Sequence, residues 1–223
     1  MVVADRPSDE SDATDSSDAA FWASIYDDGT PPWDKGEPAP PLVRSIGNLQ
    51  LAPGSRVFVP GCGFGHEALF VASRGFSVTA VDLAAAAVDG LCRRAEEAGL
   101  EIDAYETDLF ELPGDLDGRF DLIVEHTCFC AIPPSRRDDY VRIAARILRP
   151  QGMLLGLFFE VDHLPEEGPP YPTTKQDVIS HFGSIFDIDA IEQPQDSFPS
   201  RQGREWLACM QRRHSPNPGE SIP

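Results

Sequence analysis

The chain has 223 residues, 41% of them hydrophobic, and a formal net charge of −19 at pH 7, which suits one large α/β domain. The acidity argues against nucleic acid as the substrate because phosphate contacts need a basic surface, and lysine occurs only at Lys35 and Lys175. The same acidity argues against anionic membrane surfaces and, with arginine preferred over lysine, hints at a high-salt cytoplasm.

The first 20 residues are rich in Asp, Ser, Ala and Glu and contain almost nothing to bury. Such a composition cannot offset the entropy lost when a chain becomes ordered, so we expect a disordered acidic tail over residues 1–20. Residues 214–223 are expected to form a second, flexible tail. The sequence therefore predicts one domain over residues 21–213.

Three large aromatic side chains follow the acidic segment. Trp22 and Tyr26 are four residues apart and would share one face of a helix, and Trp33 comes seven residues later. We expect this helix to pack as a lid onto the core. Tryptophan faces also attract a bound cation, so a packing role and a ligand-binding role are both open.

A glycine-rich turn follows the first predicted strand. Residues 56–59 form a short apolar run typical of a buried strand, and residues 66–74 are predicted to be helical. Between them, Gly61-x-Gly63-x-Gly65 would let the backbone approach a ligand that faces the free N–H groups of the helix. The spacing is tighter than in dinucleotide binders and suits S-adenosylmethionine, which has no pyrophosphate. A purely steric role for the glycines is also open.

Two aspartates end the next two predicted strands. Asp82 follows the apolar run 76–81, where an acidic residue is expected to bind a ribose diol. It would also be placed to cap the helix predicted over residues 83–98. Asp108 follows the strand predicted over residues 101–107 and would accept a hydrogen bond from an amine such as that of adenine, with Leu109 covering the ring. A plain turn role for Asp108 is the alternative.

Four further strands and two helices complete the predicted domain. The strands are expected over residues 119–124, 153–159, 184–191 and 204–212, and the helices over residues 136–148 and 175–181. Ser135 is expected to cap the first of these helices. Strands that alternate with helices predict a doubly wound α/β fold, with a ligand crevice at the carboxyl ends of the strands.

Five scattered cysteines make no metal-binding pattern, because Cys128-x-Cys130 is too short for the usual zinc spacing. Their odd number suits a reducing cytoplasm. The sequence contains no apolar run of the length of a membrane helix and no apolar signal core at its N-terminus. We therefore expect a cytoplasmic protein that uses no metal.

Five motifs along the chain resemble those of one family. They are Trp22-x-x-x-Tyr26-x-x-Gly29-x-x-Pro32-Trp33-Asp34, Val59-Pro60-Gly61-Cys62-Gly63, Phe129-Cys130-Ala131-Ile132, Gly168-Pro169-Pro170-Tyr171 and Arg201-x-Gly203-Arg204-Glu205. On these motifs the chain resembles the class I methyltransferases of the thiopurine S-methyltransferase superfamily, and within it the halide/thiol methyltransferase branch. The resemblance implies a Rossmann-like fold: a seven-stranded, mostly parallel sheet with helices on both faces and an N-terminal helical lid.

The resemblance also implies site residues. The cofactor, S-adenosylmethionine, would be bound by Trp22, Tyr26, Trp33, Gly61, Gly63, Gly65, Asp82, Asp108, Leu109 and Glu125. Arg137 falls where the superfamily has an arginine near the cofactor and substrate, with an ion pair on the helix surface as the alternative. Tyr171 falls where the branch has a tyrosine proposed to act at the substrate, with simple packing after two prolines as the alternative.

The implied reaction is an in-line methyl transfer to a halide, bisulfide or thiol. An anion of this kind needs no general base, so the enzyme's main work is to hold the nucleophile and strip its water. The apolar loop 128–132 would exclude water. The anion would be hosted by Arg137, by the Tyr171 hydroxyl or by backbone N–H groups after Ser135. If a base were needed, His126 is the histidine placed to act.

Other functions stay open at this point. One is methyl transfer to larger thiols such as thiopurine-like aromatics, and another is a non-catalytic S-adenosylmethionine-binding protein that regulates a partner. A nicotinamide dehydrogenase is disfavoured by the glycine spacing and by the lack of a second substrate domain. We expect a monomer that acts on a small-molecule or anionic nucleophile, with no nucleic-acid or membrane partner.

Overall fold

The computed structural model describes residues 19–161 and 168–213. Within those residues it contains six α-helices and seven β-strands, joined by short 3₁₀ turns. The helices are α1 (Ala19–Asp27), α2 (Pro40–Asn48), α3 (His66–Ser73), α4 (Ala85–Ala98), α5 (Arg137–Ile147) and α6 (Lys175–Phe182). The strands are β1 (Arg56–Pro60), β2 (Ser77–Asp82), β3 (Ile102–Glu106), β4 (Phe120–His126), β5 (Leu148–Phe159), β6 (Phe186–Glu192) and β7 (Glu205–Arg212).

The strands form one sheet in the order β3-β2-β1-β4-β5-β7-β6. Strands β1 to β5 pair in parallel, whereas β7 runs antiparallel to both β5 and β6. The predicted seven-stranded, mostly parallel sheet is therefore confirmed. The chain changes direction across the sheet between β1 and β4, and ligands of such sheets bind beyond the carboxyl ends of the strands at this point.

The sheet is buried on both faces, as β1 illustrates. Phe58 packs into a cluster that includes Tyr140 of α5 and Phe182 of α6. Its neighbours Val57 and Val59 pack into a second cluster with side chains of α2, α3 and α4. Successive residues of a strand point to opposite faces, so a continuous apolar strand requires helices on both sides. The helices in turn fix where the strand ends lie.

The start of α5 differs from the prediction. Ser135 lies inside the 3₁₀ turn Pro134–Arg136, and α5 begins at Arg137 without a side-chain cap. The expectation that Ser135 caps this helix is therefore wrong. Two consecutive prolines precede it, and proline lacks an N–H and disfavours helical geometry in the residue before it. The chain consequently makes one tight turn before the helix starts.

Strand β4 is longer than the sequence pattern indicates. Glu125 and His126 continue the strand because they pair with Gly156 and Leu157 of β5. Both residues were expected just after the strand. Their inclusion in β4 places them at the carboxyl edge of the sheet, beside the end of β1.

The lid helix α1 begins at Ala19, two residues before the expected start of order at Phe21. The rest of the predicted acidic tail, and the predicted tail over residues 214–223, lie outside the described residues. In the part of the chain that the structure describes, none of the helices has the length and apolar character needed to cross a membrane.

Candidate active site

The turn after β1 needs its glycines for its backbone geometry. Gly61, Gly63 and Gly65 have φ angles of 53°, 52° and 78°, in the left-handed region that side chains other than glycine rarely adopt. A Cβ on Gly61 would also lie 2.9 Å from the Cys128 sulfur. Gly61 is therefore required sterically, because the absence of a Cβ lets the turn pack closely against the loop that follows β4.

Asp82 ties this turn to the end of β2. Its Oδ2 accepts a hydrogen bond from the Gly63 N–H at 2.8 Å, and its Oδ1 accepts one from the Ala84 N–H at 3.0 Å. The residue that caps α4 is Ala84 rather than Asp82. Burial raises the pKa of Asp82, and the backbone N–H groups of Ala84, Gly63 and Leu83 oppose that shift. Each carboxylate oxygen has a second lone pair, so the group retains acceptors for a ribose diol.

The lid packs its aromatic rings over the glycine turn. Trp22 and Tyr26 both meet Trp33 edge to face, with ring centroids 5.6 Å and 6.1 Å apart, and Tyr26 meets Phe64 of the turn at 5.2 Å. Asp34, which follows Trp33, connects this aromatic region to α3: its Oδ1 lies 2.9 Å from Nε2 of His66. The predicted helical face of Trp22 and Tyr26 is confirmed.

These elements surround a cavity of about 410 Å³ at the carboxyl ends of β1, β2 and β4. Seven of the predicted site residues line it: Trp22, Tyr26, Trp33, Gly61, Asp82, Asp108 and Leu109. Asp108 also accepts a hydrogen bond from the Phe110 N–H, so its turn role and a place in the wall coexist. Gly63 lines a smaller adjoining space of about 50 Å³ below the lid. The structure therefore brings these seven residues to one cavity, and we refer to the part that they line as the proposed cofactor half.

The structure places Glu125 behind the cavity wall. The residue is 1% exposed, and its Oε1 accepts a hydrogen bond from the Phe129 N–H at 2.7 Å. Burial raises its pKa to about 7. Neither Glu125 nor Gly65 belongs to the described residues that line either space. Cofactor contact by these two residues stays a prediction without geometric support.

Arg137 and Tyr171 are likewise outside the described lining of both spaces. The Arg137 side chain is buried against the backbone of residues 171 and 172. The Tyr171 ring lies against Gly168, where a Cβ would come within 2.2 Å of its Cδ1. Pro169 and Pro170, from the same motif, do line the cavity. The direct catalytic roles of Arg137 and Tyr171 stay predictions that the geometry does not favour.

Arg201 is a wall residue that the site prediction missed. Its side chain is 5% exposed, and its Nη1 lies 3.3 Å from Glu205 Oε1 and 3.0 Å from His126 Nε2. Its Nη2 donates a hydrogen bond to the Trp33 carbonyl at 3.1 Å. The sequence signal was present, because Arg201 opens one of the motifs that carry the resemblance. The neighbouring residues of that motif do not by themselves predict that the Arg201 side chain reaches the cavity.

His126 is held too firmly to act as a free base. Its Nδ1 lies 2.8 Å from Glu67 Oε1, and its Nε2 faces Arg201 and Glu205. Burial lowers the pKa of His126, but the Glu67 and Glu205 carboxylates outweigh it and raise the pKa to about 9. The imidazole therefore belongs to a buried charge cluster that ties the lid and β7 to β4.

The cavity fits S-adenosylmethionine on the chemistry of its donor set. Asp82 offers carboxylate oxygens to a ribose, Asp108 offers a carboxylate beside the apolar side chain of Leu109, and the lid contributes aromatic rings, which attract cations. A doubly wound sheet that brings these groups together at its glycine turn has the fold and site of a class I S-adenosylmethionine-dependent methyltransferase.

Comparison with known proteins defines the family. The family model described as thiopurine S-methyltransferase (TPMT) matches residues 17–215, so the chain belongs to the thiopurine S-methyltransferase family and uses S-adenosylmethionine. Thiocyanate methyltransferase 1 of Brassica oleracea is 33% identical over 196 residues, which cover 83% of this chain and 82% of that protein. Thiopurine S-methyltransferase of Pseudomonas putida (strain GB-1) is 29% identical over 198 residues, which cover 80% and 89%.

A solved structure supports the fold. The 1,6-didemethyltoxoflavin-N1-methyltransferase of Burkholderia thailandensis, crystallised with 1,6-didemethyltoxoflavin and S-adenosylhomocysteine, aligns with a TM-score of 0.72. The match covers 88% of this chain and 87% of that chain at 20% sequence identity. The shared feature is the Rossmann-like methyltransferase sheet with its helices.

Proposed function

We propose that this protein transfers a methyl group from S-adenosylmethionine to a small, soft, anionic nucleophile: a halide, thiocyanate, bisulfide or a small thiolate. The observation that carries the proposal is the charge of the cavity wall. Lys35, Arg136 and Arg201 line the cavity together with two carboxylates, Asp82 and Asp108. The wall therefore has more cations than carboxylates in a chain whose formal net charge is −19.

Arg201 is the best-placed host for the anion. Its contacts with Glu205 and with the Trp33 carbonyl fix the plane of the guanidinium, so little freedom is lost when an anion binds. Arg136, the last residue of the 3₁₀ turn before α5, offers a second cation. Its guanidinium carbon lies 3.6 Å from the centre of the Phe110 ring. Hydrogen bonds between an arginine and an anion are stronger than those between neutral groups because the partners are charged.

The rest of this half of the cavity is apolar. Cys128, Cys130, Ala131 and Ile132 line it from one side, and Pro169 and Pro170 from the other. Burial raises the pKa of Cys130 to about 12 and that of Cys128 well above its usual value, so both thiols stay neutral. A wall of this kind removes water from a nucleophile, and a partly desolvated anion is more reactive.

The size of the cavity favours a small acceptor. Sites for a single small molecule usually measure roughly 300–1,000 Å³. The present cavity, at about 410 Å³, has to admit the cofactor as well as the acceptor. When bound, S-adenosylmethionine would supply a methyl group on a positively charged sulfur. The acceptor would attack the methyl carbon in line, and the sulfur would leave. The residues of this chain contribute orientation, charge and exclusion of water.

The site offers the acceptor no obvious base. Among the described residues, no histidine lines the main cavity. His66 and His126 line the adjoining space, and the two ring nitrogens of His126 face Glu67, Arg201 and Glu205. An acceptor must therefore arrive with its negative charge already formed. Halides and thiocyanate meet this condition, whereas a thiol meets it only as its thiolate.

Methyl transfer to a larger thiol is the second candidate, because the chain shares its family model and 29% identity with a thiopurine S-methyltransferase. Headspace gas chromatography separates the two. With purified protein and S-adenosylmethionine, we expect methyl thiocyanate from thiocyanate and methyl iodide from iodide. Production of a methylated thiopurine alone would replace the proposal with the second candidate. Cofactor binding without any methylated product would point to a regulatory binding protein.

A further inference from the structure

The Arg137 guanidinium holds one segment of the chain by its backbone. The residue is 2% exposed. Its Nη1 donates a hydrogen bond to the Pro172 carbonyl at 2.9 Å, and its Nη2 donates to the Tyr171 carbonyl at 3.3 Å and to the Thr173 hydroxyl at 3.0 Å. A buried charge is costly unless it is hydrogen-bonded. These three acceptors therefore bind the 168–174 segment firmly to the start of α5.

The same guanidinium also holds a second segment. Its central carbon lies 4.7 Å from the centre of the Phe129 ring, and Phe129 is fully buried. Two hydrogen bonds add to this contact: the Phe129 N–H donates to the Glu125 carboxylate, and the Tyr171 N–H donates to the Cys130 carbonyl at 2.6 Å. Arg137 therefore lies between the 127–133 segment and the 168–174 segment and contacts both.

Both segments form the wall of the cavity on the side that we assign to the acceptor. Cys128, Cys130 and Ile132 come from the first, and Pro169 and Pro170 from the second. We propose that Arg137 is a positioning residue for methyl transfer, which clamps these two segments together and never touches the acceptor. This inference rests on the proposed function only where it names the acceptor.

The chemistry of the contacts explains why arginine stands here. One guanidinium donates to three oxygens and also lies over an aromatic ring, a combination that its planar shape allows. A lysine offers a point charge that cannot do both. We therefore expect Arg137→Lys to retain the charge and lose the clamp, which separates positioning from a purely electrostatic role.

The test uses Arg137→Lys and Arg137→Met, with Arg142→Met as the matched control on the same helix. Arg142 is exposed and pairs only with Asp139 among the described carboxylates. In both Arg137 variants we expect hydrogen exchange to become faster in peptides that cover the 127–133 segment and the 168–174 segment, while β1 and β2 stay protected. Because a misplacement of about 1 Å caused far from the chemistry can cost about a hundredfold in rate, kcat/KM for thiocyanate should fall about tenfold to a hundredfold. The affinity for S-adenosylhomocysteine should stay unchanged.

Thr173→Val is the second variant if Arg137→Met does not fold. It removes one acceptor of the clamp and should change exchange and kcat/KM in the same direction by less. If the Arg137 variants lose turnover with no change in exchange, the residue acts on the acceptor directly and the clamp is wrong. Unchanged exchange together with unchanged turnover also overturns it. Hydrogen exchange needs no acceptor, so the clamp can hold or fail independently of the proposed function.

Discussion

The two halves of the cavity are built in different ways. The proposed cofactor half is formed by the ends of successive strands, with Gly61 after β1, Asp82 at the end of β2 and Asp108 after β3. The proposed acceptor half is formed by the segments 127–133, 168–174 and 200–201, which are far apart in the chain. Arg201, one of its cations, contacts a carbonyl 168 residues away.

This difference shows what each half depends on. The cofactor half follows from short-range rules, because a parallel sheet brings its carboxyl ends to one edge whatever the loops do. The acceptor half depends on long-range contacts such as those of Arg137 and Arg201, so loops can change there while the cofactor half is kept. Such an arrangement allows one fold to serve different acceptors.

The largest effect should come from Glu125, which supports the acceptor half from behind. Burial raises its pKa from 4.5 to about 7, so the folded protein binds a proton that the unfolded chain releases as the pH rises between these values. The stability contributed by this group falls by about 3 kcal/mol over that interval, at 1.36 kcal/mol per pKa unit. Glu125→Gln should therefore become more stable than the parent protein as the pH rises from 4.5 to 7.

Denaturant unfolding at several pH values measures this difference. Glu111→Gln, at an exposed carboxylate, serves as the control and should give no such trend. The groups that face Glu125 are His126, Arg137, Cys128, Cys130 and Tyr140, and all are kept in both proteins. A stability difference that is the same at every pH would show that the Glu125 carboxyl titrates normally.

Replacement of Arg201 should weaken the acceptor half specifically. Arg201→Gln removes hydrogen bonds to a charged ligand worth about 1.5–3 kcal/mol, so kcat/KM for thiocyanate should fall about tenfold to a hundredfold. Arg201→Lys should recover part of the loss because it keeps the charge. Arg44→Gln, at an exposed arginine paired with Asp196, is the control. An unchanged KM for thiocyanate in Arg201→Gln would mean that the anion binds elsewhere.

Replacement of Asp82 should weaken the cofactor half. Asp82→Ala removes an acceptor for the ribose and the partner of the Gly63 N–H, so S-adenosylmethionine should bind about 1–3 kcal/mol more weakly. Calorimetry measures this directly, with Asp103→Ala on the exposed side of β3 as the control. Full cofactor affinity in a folded Asp82 variant would refute the ribose assignment.

The sequence predicted most of the fold, and it predicted which strand ends line the proposed cofactor half, because both rest on local patterns. The local sequence pattern, mostly apolar runs and an alternating segment at β3, located all seven strands, and the glycines and Asp82 follow directly from the ends of two of them. The expected cap at Ser135 failed because two prolines impose a turn before α5. The start of such a helix depends on the backbone preferences of several neighbouring residues, so the presence of one suitable capping residue does not determine it.

The acceptor half was predicted less well for a different reason. Arg137 and Tyr171 were placed at the substrate by resemblance, but the position of a side chain in a loop depends on which backbone it meets. Arg137 points at the carbonyls of 171 and 172. Arg201 reaches the cavity because its segment leads into β7, which returns antiparallel beside β5. That return is set by the whole sheet rather than by the residues around Arg201.

The most direct test of the central claim, that the acceptor must arrive as an anion, compares two acceptors in the same enzyme. We would measure kcat/KM for a small thiol and for thiocyanate at several pH values and take their ratio, which cancels titrations of the enzyme itself. Without a general base, the ratio should rise with pH in proportion to the thiolate fraction of the thiol. A ratio that stays constant with pH would show that the protein removes the thiol proton, and would contradict the account.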